Sequence, residues 1–363
     1  MRMLRSLLLV AAAALLAPSC ATTGAEGEGD KNLPTAGVGP FRKLGVDEVP
    51  GIAPFVLDDR VAIYREPAIL APAVAADDSP AILYAVGKPA GVDLIVRTRA
   101  DDGRAFLGAS GDFGRSPPIV LTVDAAWEGS ALGGPFALRV KDEIFLYYSA
   151  AGGIGVARSA DGLAFRKEPG PIFTRDVASS WERTEVRAPS VYLLPDGRFR
   201  MLYASGASIG EAESTDGVHF QRLGSEPVLG PAAPAAPGSL LPNEKGPFDT
   251  ASVGDPCAAV RSTPAGRFHV RVLYTGTDSA GITSIGLAGR YGEQGALTRQ
   301  PTPVYSVGAK ESAPALLELP SGSYLYVQQD RRVDERLTYK AIAAAFAPGS
   351  VKLPAPAPFP AGP

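Results

Sequence analysis

Histidine and cysteine are scarce: the chain of 363 residues holds two of each. Cys257, His219 and His269 are too few and too scattered for a His/Cys zinc shell, which takes four such ligands. A Ser-His-Asp site is possible by count, but each histidine falls in a strand or turn where packing accounts for it. Positive charge is not in excess: 35 Lys and Arg stand against 38 Asp and Glu, for a net charge of −3. That balance, with no basic cluster, excludes nucleic acid as the partner class. The apolar run Leu7–Leu16 has only ten residues, too few to span a bilayer as a helix. Helical periodicity is almost missing, and alternating strand-like patterns bounded by Gly and Pro take its place.

What is present at the N-terminus is a leader. Arg2 and Arg5 precede the Leu7–Leu16 run, and "APSC" ends at Cys20. A basic start, a short apolar stretch and small residues before the cut predict a secretory signal over residues 1–19. Cys20 resembles the acylated cysteine of a bacterial lipobox, which would make it the lipidation site. The implied location is the cell envelope, with the outer membrane favoured and the lipid as the only membrane contact. Cys257 would then be the sole thiol, so no intramolecular disulfide could form. Residues 20–44, rich in Gly, Thr and Glu, read as a flexible tether, and residues 351–363 as a Pro-rich tail. The folded region is expected over 45–350, interrupted by a Pro/Gly-rich loop at 230–247.

Within that region the chain repeats itself. "ARSADGLAFRKEPGPIF" at Ala157 returns as "AESTDGVHFQRLGSEPVL" at Ala212. Five longer segments open with Pro and close on an aromatic-rich strand, at Pro72, Pro135, Pro189, Pro256 and Pro314, with gaps of 63, 54, 67 and 58 residues. Each reads as two strands joined by a turn, followed by a third strand, an Asp-Gly turn and usually a fourth. Self-similarity at this period predicts an all-β chain, a five-bladed β-propeller with four-stranded antiparallel blades around a central funnel. "RADDGRAF" at Arg99 supplies the same turn and fourth strand in the first blade. The stretch from Ala53 is expected to close the ring against the last blade.

A finer repeat puts an aromatic eight residues before the opening Pro: Tyr64, Trp127, Trp181 and Phe248. Glu128, Glu182 and Asp249 follow directly in three of these. A feature repeated around a ring serves the ring, so the aromatics are expected to pack between blades and the acids to satisfy backbone N–H groups. Trp127 and Trp181 are also the aromatic candidates for contact with a ligand in the funnel.

The combination of "S-x-DG-x-x-aromatic", "P-[VI]-[LF]" and an acidic-Pro opening such as "GDP" resembles family-43 and family-32 glycoside hydrolases, the arabinanase, levansucrase and invertase group. That resemblance covers nearly all of the folded region. It implies three funnel carboxylates: an Asp at the first blade opening as base or nucleophile, an Asp before Pro in the second, and a Glu two residues before the third-blade Pro as acid. This sequence offers Ala71, Gly134 and Arg187 there, with Glu185 the nearest Glu.

Candidates therefore come from positions where the repeats differ. Glu185, Arg187 and Asp255 put charge where other blades carry small or apolar residues, and Glu311 lies just ahead of Pro314. Glu185, Asp255 and Asp249 are the possible acid pair; Arg187, Glu311, Trp127 and Trp181 are the possible sugar contacts. An Arg187 beside Glu185 would lower the carboxyl pKa, the wrong direction for a general acid. The preferred reading is a lipid-anchored, monomeric propeller that binds a glycan with catalysis reduced or lost. An active hydrolase with a rearranged acid pair and a scaffold for a protein partner are the alternatives. No cofactor is implied, and scattered Asp and carbonyl groups leave a channel Ca²⁺ open. "GGIG" at Gly152 precedes no helical pattern and reads as a strand turn, not a phosphate loop.

Overall fold

The computed structural model describes residues 39, 41–44, 56–57, 64–72, 81–88, 91–100, 105–106, 118–236, 239, 246–262, 268–319, 322–332 and 338–348. The expected signal peptide, Cys20, most of the tether and the Pro-rich tail lie outside them.

The chain forms a five-bladed propeller of antiparallel sheets. Blade 1 holds β3 (Arg65–Leu70), β4 (Ala81–Gly87), β5 (Leu94–Ala100) and β7 (Ile119–Leu121). Blade 2 holds β8 (Gly133–Val140), β9 (Glu143–Ala150), β10 (Gly153–Ser159) and β11 (Arg166–Lys167). Blade 3 runs through β12 (Arg187–Leu193), β13 (Phe199–Ser205), β14 (Ser208–Ser214) and β15 (Gln221–Arg222). Blade 4 comprises β16 (Ser252–Ser262), β17 (Phe268–Thr277), β18 (Thr283–Tyr291) and β19 (Thr298–Arg299). Blade 5 has β20 (Ser312–Leu319), β21 (Gly322–Arg332) and β22 (Thr338–Pro348), and its fourth strand is β1 (Arg42–Lys43) from the other end of the chain.

Ring closure thus comes from upstream of the expected stretch. Arg42 pairs with Phe346 and Lys43 with Ala345. Phe41 and Leu44 are buried beside this strand, so the fold includes residues upstream of the expected boundary at 45. Within the stretch expected to close the ring, β2 (Val56–Leu57) instead pairs in parallel with β6 (Ala105–Phe106). Ala105–Phe106 is accordingly not the fourth strand of blade 1; Ile119–Leu121 is. The Asp-Gly turn between Ala100 and Ala105 lies outside the described residues.

Blades stack face to face, so their central strands are buried on both sides. This explains runs such as "FRMLYAS", every residue of which is buried. Five apolar clusters fill the five seams between neighbouring blades, each built from residues of the two blades it joins. Aromatic and β-branched residues, which favour strands, recur in every seam beside Leu and Ala.

The two written repeats are latches. In blade 2, Ser159 Oγ donates to Asp161 Oδ1, and Asp161 Oδ1 accepts from the backbone N–H groups of Leu163 and Ala164. Tyr84 of blade 1 then donates its hydroxyl to the Gly162 carbonyl at 3.1 Å. Blade 3 repeats the unit with Ser214 and Asp216, and Tyr147 of blade 2 reaches the Gly217 carbonyl at 3.1 Å. The Pro-apolar-apolar ending is the next piece. Phe173, Leu229 and Tyr305 each form a bridge with the third strand of their blade, at Ile154, Ile209 and Ile285.

The aromatic-acid repeat is a second device. Trp127 stacks on Tyr148, Trp181 on Tyr203 and Phe248 on Tyr274, with ring centroids 6.0, 6.1 and 6.1 Å apart. Each Tyr hydroxyl donates to the adjacent acid: Glu128 at 2.7 Å, Glu182 at 3.1 Å and Asp249 at 2.8 Å. A cation from the fourth strand completes each unit: Lys167 on Glu128, Arg222 on Glu182 and Arg299 on Asp249. The three acids are at most 1% exposed. These buried charges are tolerated because each is paired and hydrogen-bonded.

Candidate functional site

Five inner strands, one per blade, surround the axis. In each, the residue before the opening Pro has a left-handed backbone: Glu66 (φ 51°), Gly134 (49°), Ala188 (49°), Asp255 (45°) and Ala313 (49°). Each sits where the pairing of first and second strands shifts register. Four of the five are not glycine, and a left-handed residue with a Cβ costs on the order of 1–3 kcal/mol. A bulge of this kind re-aims a side chain away from the sheet, which is why bulges gather beside functional sites.

This backbone signature corrects the register of blade 1. Its opening proline is Pro67, not Pro72, and the residue before it is Glu66, not Ala71. Tyr64 had matched the aromatic spacing to Pro72 by coincidence; it belongs to the seam between blades 5 and 1.

The five prolines, Pro67, Pro135, Pro189, Pro256 and Pro314, line one axial cavity of about 450 Å³. Its charged lining residues are Glu66, Arg187 and Asp255, and Ser149 and Gln328 add neutral polar groups. Arg187 bridges two blades: its Nη1 donates to Asp255 Oδ1 at 2.7 Å, and its Nε to Glu185 Oε1 at 3.1 Å. Thr275 Oγ1 donates to the other Asp255 oxygen at 2.9 Å. Across the funnel, Glu66 Oε2 accepts from the Gly134 N–H at 2.6 Å, and Arg65 approaches its other oxygen at 3.4 Å while pairing with Asp93 at 2.5 Å.

Electrostatics separates these groups. Burial pushes the Glu66 carboxyl above the usual range, and the Asp255 charge pushes it further; the Gly134 N–H and Arg65 pull the other way without cancelling the rise. Burial alone would lower the Arg187 pKa, but Asp255 and Glu185 more than offset it, so the guanidinium is held charged. Cys257 also lines the cavity, and burial pushes its thiol up to about 11, which leaves it an un-ionised, unreactive side chain.

Of the sequence candidates, the structure brings together Arg187, Asp255 and Glu185. Glu185 is 55% exposed and reaches the site only through Arg187. Asp249, Trp127 and Trp181 belong to the blade-locking units and are not among the cavity residues. Glu311 is fully buried, its Oε1 accepting from Val307 and Ala309 N–H groups, so it orders the loop ahead of blade 5, the blade without the aromatic. The candidate set narrows to Arg187, Asp255 and Glu185, and it gains Glu66, Ser149, Thr275 and Gln328. Glu66 had a visible signal: "REP" at 65–67 parallels "GDP" at 254–256. Among the described residues, no group of three or more His, Cys, Asp or Glu side chains could hold a metal ion.

No protein-family model matches the sequence, and no curated protein matches it significantly. Solved structures do match by fold. A glycosyl hydrolase from Bacteroides ovatus is 12% identical, with a TM-score of 0.54 over 84% of this chain and 93% of that one. The α-L-arabinofuranosidase PaAbf62A from Podospora anserina, solved with cellotriose, is 10% identical, with a TM-score of 0.54 over 86% and 99%. A thermostable family-43 glycoside hydrolase is 14% identical, with a TM-score of 0.52 over 83% and 91%. The resemblance read from the "S-x-DG" and "GDP" repeats is thus met at the level of fold: this chain is a five-bladed propeller of the architecture found in glycoside hydrolases.

Proposed function

We propose that the axial funnel binds a glycan, and that the chain does so at the cell envelope, tethered through an acylated Cys20. The observation that carries the first part is the convergence of Glu66, Arg187, Asp255, Ser149 and Gln328 on one proline-walled cavity of about 450 Å³. Few, fixed polar groups on an apolar wall suit a polyhydroxylated ligand, whose hydroxyls need partners and whose C–H faces need apolar contact. The glycoside hydrolases that share the fold support the same substrate class. Arg187 occupies the place where the resemblance calls for a general acid, and a guanidinium cannot serve as one at neutral pH. This favours binding over turnover.

A second reading gains from Glu66. Glycosidic hydrolysis needs one protonated and one ionised carboxyl group. Glu66, with its raised pKa, suits the protonated role, and Asp255, paired with Arg187 on the same cavity, is the second carboxyl group. Aligned on Pro67, blade 1 carries a carboxyl group at its opening, where alignment on Pro72 leaves Ala71.

One experiment separates the readings. The protein is incubated with arabinan, xylan, levan and mannan fragments, with products read by mass and binding by calorimetry, beside Glu66→Gln and Asp255→Asn. Binding without products supports the glycan-binding reading. Products abolished by either substitution establish a hydrolase. Neither binding nor products overturns both. The mass of the mature N-terminal peptide tests the anchor: an unmodified or absent Cys20 would refute it.

A further inference from the structure

The residues opposite the bulge form a five-fold set on the second strands. Val86, Ser149, Ala204, Thr275 and Gln328 each face the residue two before the opening proline of their own blade. Two of them serve the next blade. Ser149 Oγ accepts from the pre-proline N–H of Ala188 at 2.8 Å, and Thr275 Oγ1 accepts from that of Ala313 at 3.0 Å. Val86 and Ala204 have no polar atom to offer. Gln328 breaks the pattern: it is the one long polar side chain of the set, and it turns back to its own blade, donating from Nε2 to Ser312 Oγ at 2.9 Å.

That leaves half of the amide unused. Gln328 is 8% exposed, it lines the funnel, and its Oε1 has no hydrogen-bond partner among the described residues. A buried polar atom without a partner is uncommon and costly, so its presence in a cavity wall calls for a reason. Exchanging the amide oxygen and nitrogen does not remove the surplus. The Ser312 hydroxyl can pair with either end, and the other end is then left over. The terminal torsion of Gln is broad, so the amide can turn toward an occupant at little cost.

We propose that Gln328 is a specificity-determining residue that reads one hydroxyl group of the funnel ligand. A hydroxyl both donates and accepts, so it matches whichever amide atom is left over. Arg187, the cation in the same cavity, is already paired with Asp255 and Glu185, so this wall offers a carboxylate or phosphate less than it offers a hydroxyl. The inference rests on the glycan reading of the funnel and adds which wall recognises the sugar and through which group.

The test uses the full chain and the methyl glycosides of arabinose, xylose, fructose and mannose, each with its monodeoxy analogues, titrated by ligand-observed NMR. In the wild type, one deoxy position of the sugar that binds is expected to weaken binding about tenfold. Gln328→Ala is expected to weaken the parent sugar by a similar factor and to become indifferent to that deoxy position. Gln328→Met keeps the side-chain volume and replaces it if Gln328→Ala does not fold. A sugar that binds with the same affinity and the same deoxy profile in wild type and variant overturns the role of Gln328 and leaves the glycan reading standing. If none of the sugars binds the wild type, both fall.

Discussion

Arg187 and Asp255 join blades 3 and 4 across the funnel wall, Nη1 to Oδ1 at 2.7 Å. The pair is partly open to solvent, with side chains 38% and 24% exposed. Solvent screens such a pair, so its stability contribution is small, about 1 kcal/mol or less. Its chemical role is larger: it holds a cation and an anion in place on the cavity wall. Arg187→Met is expected to change the urea midpoint little and to weaken glycan binding about tenfold or more. A large loss of stability with unchanged binding would make the pair a blade clamp only. Calorimetry and urea unfolding on the same preparation read both quantities.

The buried units behave in the opposite way. Glu182 is 1% exposed and accepts from Tyr203 and Arg222. Removing one member of a buried pair leaves the other charge uncompensated, at a cost of about 3–5 kcal/mol. Arg222→Met is therefore expected to destabilise the chain by about 3 kcal/mol in urea unfolding, with no effect on funnel binding beyond the loss of folded protein. A change below about 1 kcal/mol would show that the unit is not a lock.

Glycine is required where the aromatics cross the third strand. A Cβ on Gly210 would lie 2.5 Å from both Trp181 Cη2 and Tyr203 Cζ, and one on Gly286 would lie 2.4 Å from Tyr274 Cζ. Neither ring can withdraw, since each is stacked on its neighbour. Gly210→Ala is expected to cost about 1–3 kcal/mol by overpacking. Gly170→Ala, which would meet nothing within 4 Å, is the control and should stay within about 0.5 kcal/mol of wild type.

The Asp-Gly latches give the fold an acid limit. Backbone N–H groups of Leu163 and Ala164, with Ser159, lower the Asp161 pKa to about 2. Burial opposes the same effect at Asp216, but the His219 and Val218 N–H groups prevail and hold it well below the usual range. An unfolded Asp titrates near 3.9, so the folded state binds fewer protons than the unfolded state between these values. The latch contribution is therefore fully present above about pH 5 and is lost as pH falls toward 2. Unfolding midpoints measured from pH 6 to pH 2 should fall more steeply for the wild type than for Asp161→Asn. Equal slopes would show that the latch carries no pH-dependent stability.

Glu66 carries the opposite sign. Its folded pKa is raised, so ionising it in place is unfavourable and stability falls as pH rises through that pKa. Glu66→Gln should remove this loss and leave the protein more stable at neutral pH, unless the Gly134 contact is lost with it. Comparing wild type and variant at pH 4 and pH 8 measures the difference.

The blade count followed from the spacing of the Pro-opened segments, and blades 2 and 3 also spell out one turn chemistry: Ser and Asp to satisfy turn N–H groups, Gly for the left-handed position. A structural use of Trp127, Trp181, Glu128, Glu182 and Asp249 was also readable, since a ring repeats what the ring needs, but its form was not: the acids were expected on backbone N–H groups and meet Tyr and Lys or Arg instead, with only Glu128, among the described residues, also accepting from the chain. The register of blade 1 was not readable either. Tyr64–Pro72 imitates an aromatic–proline spacing that Trp127–Pro135 uses in earnest, and sequence cannot tell a proline at a bulge from one beyond a strand. Five residues of slip hid Glu66, and with it the blade-1 carboxylate.

The amino-acid sequence by itself determined the local grammar of this protein: strands, turns, the period near 60 residues, and hence the propeller. Those are short-range properties, set by side-chain alternation and backbone allowance. The site was decided only in the tertiary structure. Glu66 and Asp255 are separated by almost 190 residues, and their pKa relationship exists only once the ring brings blade 1 and blade 4 to one axis. Ring closure by Arg42–Lys43 is of the same kind, a two-residue strand too short to announce itself, whose place is given by the open edge of β22.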